Sequence, residues 1–405
     1  MKYRNVLLSC VLLLLMASPA LLYLSERAGA TLPGWFTAAD ASYLSGAVVK
    51  ADVKGQASLA GFASGRLQRA LEDKVENYVP MKASAILGNA ALQRYAIAVS
   101  NEVFGWGCYP TYYGSSYAYS PHTQSVSEMS SYDQSILPSL ERFGETVDAF
   151  ARQFPESRIV IYVADRSSTS AANPVSELVS VWTTTEEATA AIKEAVTADN
   201  VSVLANPFDN AEEYYQKYYR SDHHWRPQGA AEAASSIGAA LGRNVSLSQF
   251  KNVDGPLYTG AYSRNGLCIV EDVPQDFAEG YSSEILVSGD EREDGASHKV
   301  YEEAPAIGKH YQFYDLYFWA YAQVNAQGSG NLIMVNDSYG CALERPLGAE
   351  YSKTLWSNHL HSSRKTNDRL VDGEPAMEES DLVFVGHVGN YVSFLDRNPQ
   401  FFAID

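Results

Sequence analysis

The chain has 405 residues, 46% of them hydrophobic and 19% charged, which suits one large or two ordinary domains and excludes wholesale disorder. Its formal net charge is −18 with no Lys/Arg run, which excludes a nucleic-acid partner and disfavours an anionic polymer as substrate.

Residues 1–30 form a predicted targeting segment. Lys2 and Arg4 supply a positive start, and Val6 to Leu24 is an uncharged apolar run. The run exceeds the ~7–15 residues of a signal-peptide core and reaches the ~18 that can span a bilayer. Ala28-Gly29-Ala30 has the small-x-small look of a cleavage site. The segment therefore reads as a long signal peptide or a retained membrane anchor, with the anchor preferred. Either way residues 31–405 lie outside the cytoplasm. Cys10 falls within the apolar run, leaving Cys108, Cys268 and Cys341, which can form at most one bridge.

Residues 31–55 look like a tether. Apolar spacing predicts helices over Phe62–Val75 and Lys82–Val99. The Gly-, Tyr-, Ser- and Pro-rich stretch from Phe104 to Pro121 favours turns and short strands; its aromatics serve either loop packing or sugar stacking. An α/β rhythm follows: a helix over Ile136–Phe154, a buried strand over Arg158–Ala164, and a possible strand at Leu178–Trp182. Thr184 and Glu187 match a capping box that opens a helix to about Ala198. Val201–Ala205 is a third strand and Glu212–Tyr219 a short helix. This alternation predicts a mostly parallel sheet with helices on both faces. Residues 243–310 read as an irregular insertion, Tyr311–Val324 as a helix, and Asn331–Val335 and Asp381–Gly386 as strands.

Two motifs carry chemistry. In Ser221-Asp222-His223-His224-Trp225-Arg226-Pro227, an acid and two histidines stand before a predicted Ala-rich helix, with Pro227 suited to its first position. A general base and the carboxylate that orients it require this pairing. Asp222 can also act as a helix cap, and a metal site is the other rival, although no further Cys/His cluster has ligand spacing. The second motif is Asn336-Asp337-Ser338-Tyr339, where an apolar strand ends in a polar turn and a helix is expected at or after Ser338. That places a hydroxyl at the carboxyl edge of the sheet, where ligands of open α/β folds bind. Ser338 can attack a carbonyl if His224 or His223 reaches it, and backbone N–H groups of the following helix can hold the oxyanion. As an alternative Ser338 is simply a helix cap. Asn336, Asn200 and Asn244 also begin glycosylation sequons.

The Asp-His-His-Trp block followed by a strand ending in Asp-Ser-Tyr resembles the DHHW family of extracytoplasmic proteins. That family is similar to the SGNH-hydrolase-like proteins that include the alginate O-acetyltransferase components. The resemblance covers residues 60–400 loosely and rests on the two short motifs. It implies an α/β, SGNH-hydrolase-like fold with N-terminal helices and an irregular insertion, over residues 56–405. The relatives' first motif reads Asp-x-His-Trp. Alignment on Trp225 pairs Asp222 with His224 and leaves His223 as the extra residue. Ser338 is the implied nucleophile, with Asn336, Asp337, Tyr339, His223 and Trp225 as supporting or oxyanion candidates. Asn336 stands where the relatives carry Gly. Asn390 and Arg345 are further candidates for an unassigned oxyanion side chain.

The implied function is an O-acetyltransferase or acetylesterase acting on a cell-surface or exported polysaccharide, without cofactor or metal. A multi-spanning membrane acyltransferase is the implied partner. The rival is a non-catalytic glycan-binding or assembly protein that keeps the fold.

Overall fold

Ile159–Ala164 is an unbroken apolar run, and all six residues are buried. A strand has this composition when helices cover both sides of a parallel sheet. It is β1 of five parallel strands, followed by β2 (Val201–Ala205), β3 (Asn331–Asn336), β4 (Lys353–Asn358) and β5 (Ser380–His387), ordered β2-β1-β5-β3-β4 across the sheet. Tyr321–Asn325 and Glu284–Leu286 extend it beyond β4 as antiparallel strands. In register, Asn336 pairs with Val385 and Ala164 with His387, so β1, β5 and β3 finish at one carboxyl edge.

The computed structural model describes residues 51–178, 183–206, 208–245, 249–254, 257–278, 284–286, 321–358, 377–398 and 401–402, with 13, 17–25, 27–30 and 44. Alternate strand residues feed two cores. Val160, Tyr162, Leu332, Met334, Trp356, Val383 and Val385 pack against the Pro227–Ala240 helix on one face. Ile161, Val163, Ile333, Leu355, Leu382 and Phe384 pack on the other against the helices Leu137–Ala151, Thr185–Ala195 and Val388–Arg397. Thr184 and Glu187 make both bonds of the predicted capping box.

This unit comprises residues 105–109, 116–262 and 270–405; residues 1–104, 110–115 and 263–269 form a second compact unit. In the latter the predicted Phe62–Val75 helix is split into Leu59–Ala63 and Arg66–Glu76, because Gly65 takes φ +72° between them. The next helix runs from Lys82 to Phe104, past its predicted end at Val99. Val53–Gln56 gives the end of the predicted tether a short helix. Most of Val6 to Leu24, and 31–50 apart from residue 44, lie outside the described residues. Among the described residues no helix is long and apolar enough to cross a membrane.

Other expectations are corrected. The C-terminal end of the predicted Tyr311–Val324 helix is strand, since Tyr321–Asn325 pairs its backbone with Lys353–Ser357 of β4; residues 311–320 lie outside the described set. Leu178 closes a 3-10 turn rather than starting a strand, and 179–182 are also outside the set. Strand β4 and the helix Val388–Arg397 have no counterpart in the sequence reading. β4 escapes a hydrophobicity pattern because its buried positions include Thr354, Ser357 and Asn358. Cys108, Cys268 and Cys341 are buried thiols with no bridge among them, within the expected limit of one.

Phe143 is fully buried, with ring centroids 5.0 Å from Tyr391, 5.4 Å from Phe394 and 5.7 Å from Phe384. Phe143→Ala should destabilise the fold by ~3–5 kcal/mol. Urea unfolding checks this, and a loss under ~1 kcal/mol would mean that the site collapses around the truncation.

Candidate active site

The Asp222 loop is a tight backbone excursion. Tyr218 and Trp225 form an antiparallel bridge, the Tyr219 N–H donates to His224 O at 3.1 Å, and the Arg226 N–H donates to Lys217 O at 2.7 Å. Helix Pro227–Ala240 starts at once, with Pro227 in its first turn as the sequence predicts. A Cβ on Gly229 would sit 2.6 Å from Lys217 O, so only glycine lets the start of this helix press on the end of the short helix Ala211–Lys217 that precedes the loop. From the other side Asp272 accepts Ser221 N–H at 2.9 Å and Ser221 Oγ–H at 2.6 Å. A second isolated bridge pairs Tyr258 with Asp272.

Within this frame Asp222 is buried and fully engaged. Its Oδ1 accepts the His224 ring Nδ1–H at 2.7 Å and the His224 backbone N–H at 3.1 Å. Its Oδ2 accepts the Tyr258 hydroxyl at 2.5 Å and the Ala261 N–H at 2.6 Å. Burial alone would raise this carboxyl, but the neighbouring His223 and His224 imidazoles, with the His224 hydrogen bond, hold it well below the usual carboxylate range. An acceptor-only carboxylate fixes the proton on Nδ1 of a neutral His224, leaving Nε2 as acceptor. That nitrogen lies 2.9 Å from Ser338 Oγ. The arrangement can take a proton from the serine hydroxyl and hold it beside a negative charge.

Ser338 leaves the carboxyl end of β3 in a turn set by Asp337, which is fully buried. Asp337 Oδ1 accepts the Tyr339 N–H at 2.8 Å, and Oδ2 accepts the His387 N–H at 3.0 Å and the Asn390 side-chain amide. Only a 3-10 turn, Gly340–Ala342, and the short helix Glu344–Gly348 follow. The helix expected at or after Ser338 thus begins six residues on, and the Tyr339 and Gly340 N–H groups are spent on Asp337. The Ser338 N–H makes no hydrogen bond among the described residues, which leaves it for an incoming oxygen.

The other predicted residues are supports. Asn336 is buried, and its amide donates to Asp337 O at 2.6 Å. Tyr339 donates its hydroxyl to His223 O at 2.6 Å and stacks its ring edge-on to Trp225, which is itself core. Asn390 is held by Asp337, and Arg345 lies on the short helix. His223 Nδ1 approaches Asp222 Oδ1 to 3.1 Å without the geometry of a hydrogen bond. Burial pushes His223 down to about 3. Asp222, His223 and His224 offer ligand atoms within 4.8 Å of one another. Their donors fit the relay rather than a metal, because both ring nitrogens of His224 are occupied by Asp222 and Ser338. Neither Asn200 nor Asn336 suits glycosylation: Asn200 donates to Ala151, Phe154 and Ser157 carbonyls, and Asn336 is enclosed. Tyr258, Asp272, Arg166 and His387 were not legible as site residues. Tyr258 and Asp272 fall in the patternless insertion, Arg166 lies just past β1 and His387 ends β5, with no motif around either.

Residues 130–258 match the family model of the SGNH hydrolase-like domain of acetyltransferase AlgX. The fold is SGNH hydrolase-like. The matched stretch holds Asp222 and His224 and ends before Ser338. Among solved structures, the chain is similar to a DHHW family protein from Eubacterium siraeum (12% identity, 70% of this chain and 95% of that one, TM-score 0.47). It is similar also to Bacillus cereus PatB1 (12%, 72% and 97%, TM-score 0.49) and the O-acetyltransferase domain of Pseudomonas putida AlgJ (12%, 68% and 90%, TM-score 0.35). A comparison with curated protein sequences finds no match.

Burial gives two carboxyls at the strand ends a pH signature, lifting Asp337 to about 6 and Asp165, just beyond β1, to about 7. Unfolded, each titrates near ~3.9. The folded state therefore holds their protons more tightly, and the stability they add is complete below about pH 4 and lost as pH rises to about 7. Asp222 is depressed, so its contribution is present above about pH 4 and flat from there. The melting temperature should fall between pH 5 and pH 8, and Asp165→Asn should shrink that fall by roughly several degrees. Parallel pH profiles for the variant and the parent would show that Asp165 is not the titrating group.

Proposed function

We propose that the chain is an extracytoplasmic serine acyl-transfer enzyme, an O-acetyltransferase or acetylesterase acting on a cell-surface or exported polysaccharide. The observation that carries this reading is the continuous hydrogen-bond chain from Asp222 through His224 to Ser338. The match to an acetyltransferase domain over 130–258 supports it.

Ser338 Oγ attacks the acetyl carbonyl carbon while its proton passes to His224 Nε2, and the C=O electron pair moves to oxygen. Collapse expels the alkoxide, which takes the proton from His224 and leaves acetyl-Ser338. A glycan hydroxyl or water then attacks the acetyl group, giving its proton to His224, and Ser338 recovers one as it departs. Transfer and hydrolysis differ only in that second nucleophile. Asp222 stays ionised throughout, orienting the ring and stabilising its charged form. The apolar run at Val6–Leu24 anchors the enzyme to the membrane, where a multi-spanning acyltransferase supplies the acetyl group.

With p-nitrophenyl acetate, Ser338→Ala and His224→Ala should each lose roughly a thousandfold or more in kcat, and the double variant should be little worse. Asp222→Asn should lose roughly 10³–10⁴-fold by setting the wrong tautomer, and His223→Ala less than about tenfold. A fluorophosphonate should label the parent and spare Ser338→Ala. Full turnover in Ser338→Ala, or a parent that resists labelling, would sink the nucleophile.

The topology reading has its own check. A C-terminal reporter that is active only in the cytoplasm should be silent, given Lys2 and Arg4 ahead of the apolar run. Reporter activity would reverse the orientation.

A further inference from the structure

The side chains around the Asp222–His224–Ser338 chain divide by their access to solvent. Asp222, His224, Asp337 and Tyr339 are buried, whereas Ser338, His223, Arg166, Glu128 and Tyr117 are only half-buried. Contacts join the second group into one strip. Ser338 Oγ meets His224 Nε2 at 2.9 Å, and the His224 ring lies on the His223 ring with centroids 3.9 Å apart. The His223 ring is 5.5 Å from the Tyr262 ring, which is 5.7 Å from the Tyr117 ring. The Tyr262 hydroxyl donates to Glu128 Oε2 at 3.5 Å.

Two short strands fix the far end of the strip. Tyr117–Ser120 pairs antiparallel with Ser125–Glu128, and Tyr117 stands directly opposite Glu128. Opposed residues share one face of the ladder, so a phenol ring and a carboxylate stand side by side. A sugar needs that combination: an apolar surface for its C–H face and a fixed acceptor for its hydroxyl rim.

The polar atoms of the strip are unequally engaged. Arg166 Nη2 pairs with Glu128 Oε2 at 2.7 Å, Nε donates to Tyr262 Oη at 3.0 Å, and Nη1 faces His387 Nε2 at 3.4 Å. Every guanidinium nitrogen thus has a protein neighbour. Among the described residues Glu128 Oε1 has no hydrogen-bond partner, and the Glu128 side chain is 19% exposed. A carboxylate oxygen only accepts, so it suits an O–H or N–H and opposes a second carboxylate. The net charge of −18 acts in the same sense at longer range.

We propose that Glu128 selects the sugar whose hydroxyl bears or receives the acetyl group. Its Oε1 accepts a hydrogen bond from another hydroxyl of that sugar, and the strip takes neutral sugars in preference to uronates. This names the substrate class of the serine acyl-transfer reading and rests on it. Glu128 gains no proton in the reaction. The attacking hydroxyl bonds to the acetyl carbon and gives its proton to His224, and Ser338 Oγ departs with the bonding pair and recovers a proton from His224.

Methyl glucoside and methyl glucuronide test this as acceptors, because they differ only in a hydroxymethyl or a carboxylate at C6. With p-nitrophenyl acetate as donor and the full chain, mass spectrometry counts the acetylated sugars. The parent should favour the glucoside roughly tenfold or more. Glu128→Gln leaves an oxygen for Arg166 and replaces the open acceptor by a neutral amide, so the ratio should fall to within about threefold. Glu128→Asp keeps the charge and should keep the order. A purely structural Glu128 would change both rates together and leave their ratio alone. An equal ratio in Glu128→Gln and the parent, or a parent that prefers the glucuronide, overturns the proposal. Saturation-transfer NMR on Ser338→Ala needs no turnover and separates this subsite from the nucleophile. The glucoside should receive more saturation than the glucuronide, and adding Glu128→Gln should remove the difference. Transfer of saturation to neither sugar, or equally to both in Ser338→Ala, overturns the subsite whatever the serine does.

Discussion

The Asp337 carboxylate ties the site together. It stands where β3 ends, fully buried, and accepts N–H groups from the chain after Ser338, from the end of β5 and from Asn390 on the last helix. A serine on a free loop would sample many positions. Here the residues on either side are fixed, Asp337 by its backbone bond to Val385 O at 3.0 Å and Tyr339 by its hydroxyl on His223 O. The latter bond reaches the neighbouring residue of His224, so the serine turn and the histidine loop are braced to each other as well as to the sheet. A nucleophile and its base depend on such rigidity, because an ångström of slack costs much of the rate.

How much of this the residues announce in advance depends on what each part of the chain buries. β1, β3 and β5 bury apolar side chains on both faces and read as strands, and the Thr184–Glu187 capping box reads as a helix start because its signature is local. β4 does not, since a strand that encloses Thr354, Ser357 and Asn358 carries no hydrophobic pattern. The strand Tyr321–Asn325 looks helical by composition, and pairing with β4 overrides that preference. At the site, Asp222, His224 and Ser338 are visible because chemistry demands those residue types. Tyr258 and Ala261, which saturate the far oxygen of Asp222, come from an insertion whose only signal is its irregularity. A main-chain donor such as the Ala261 N–H has no sequence signature at all.

The two adjacent histidines show how backbone geometry divides roles between identical side chains. His224 aims Nδ1 at Asp222 and Nε2 at Ser338, while His223 stacks on it at 3.9 Å between ring centroids and contributes its carbonyl to Tyr339. Burial and the neighbouring imidazole keep His223 neutral, at about 3. A second charged imidazole beside His224 would oppose the proton that the mechanism places there. His223 therefore suits the site as an apolar, uncharged wall.

The three buried aspartates share desolvation and differ in their neighbours. Asp222 faces two imidazoles and four donors and stays ionised. Among the described residues Asp337 accepts from N–H donors and rises to about 6; Asp165, whose Oδ2 has no hydrogen-bond partner among the described residues, rises to about 7. Desolvation pushes all three upward, and the neighbours decide how far it is opposed. The consequence is a division of labour within one sheet edge. The carboxylate that must be charged to support an imidazolium is saturated by hydrogen-bond donors. Those that shape the scaffold can approach neutrality near the working pH. The counter-charge nearest the imidazole is Asp222, whose Oδ1 holds the His224 Nδ1–H directly.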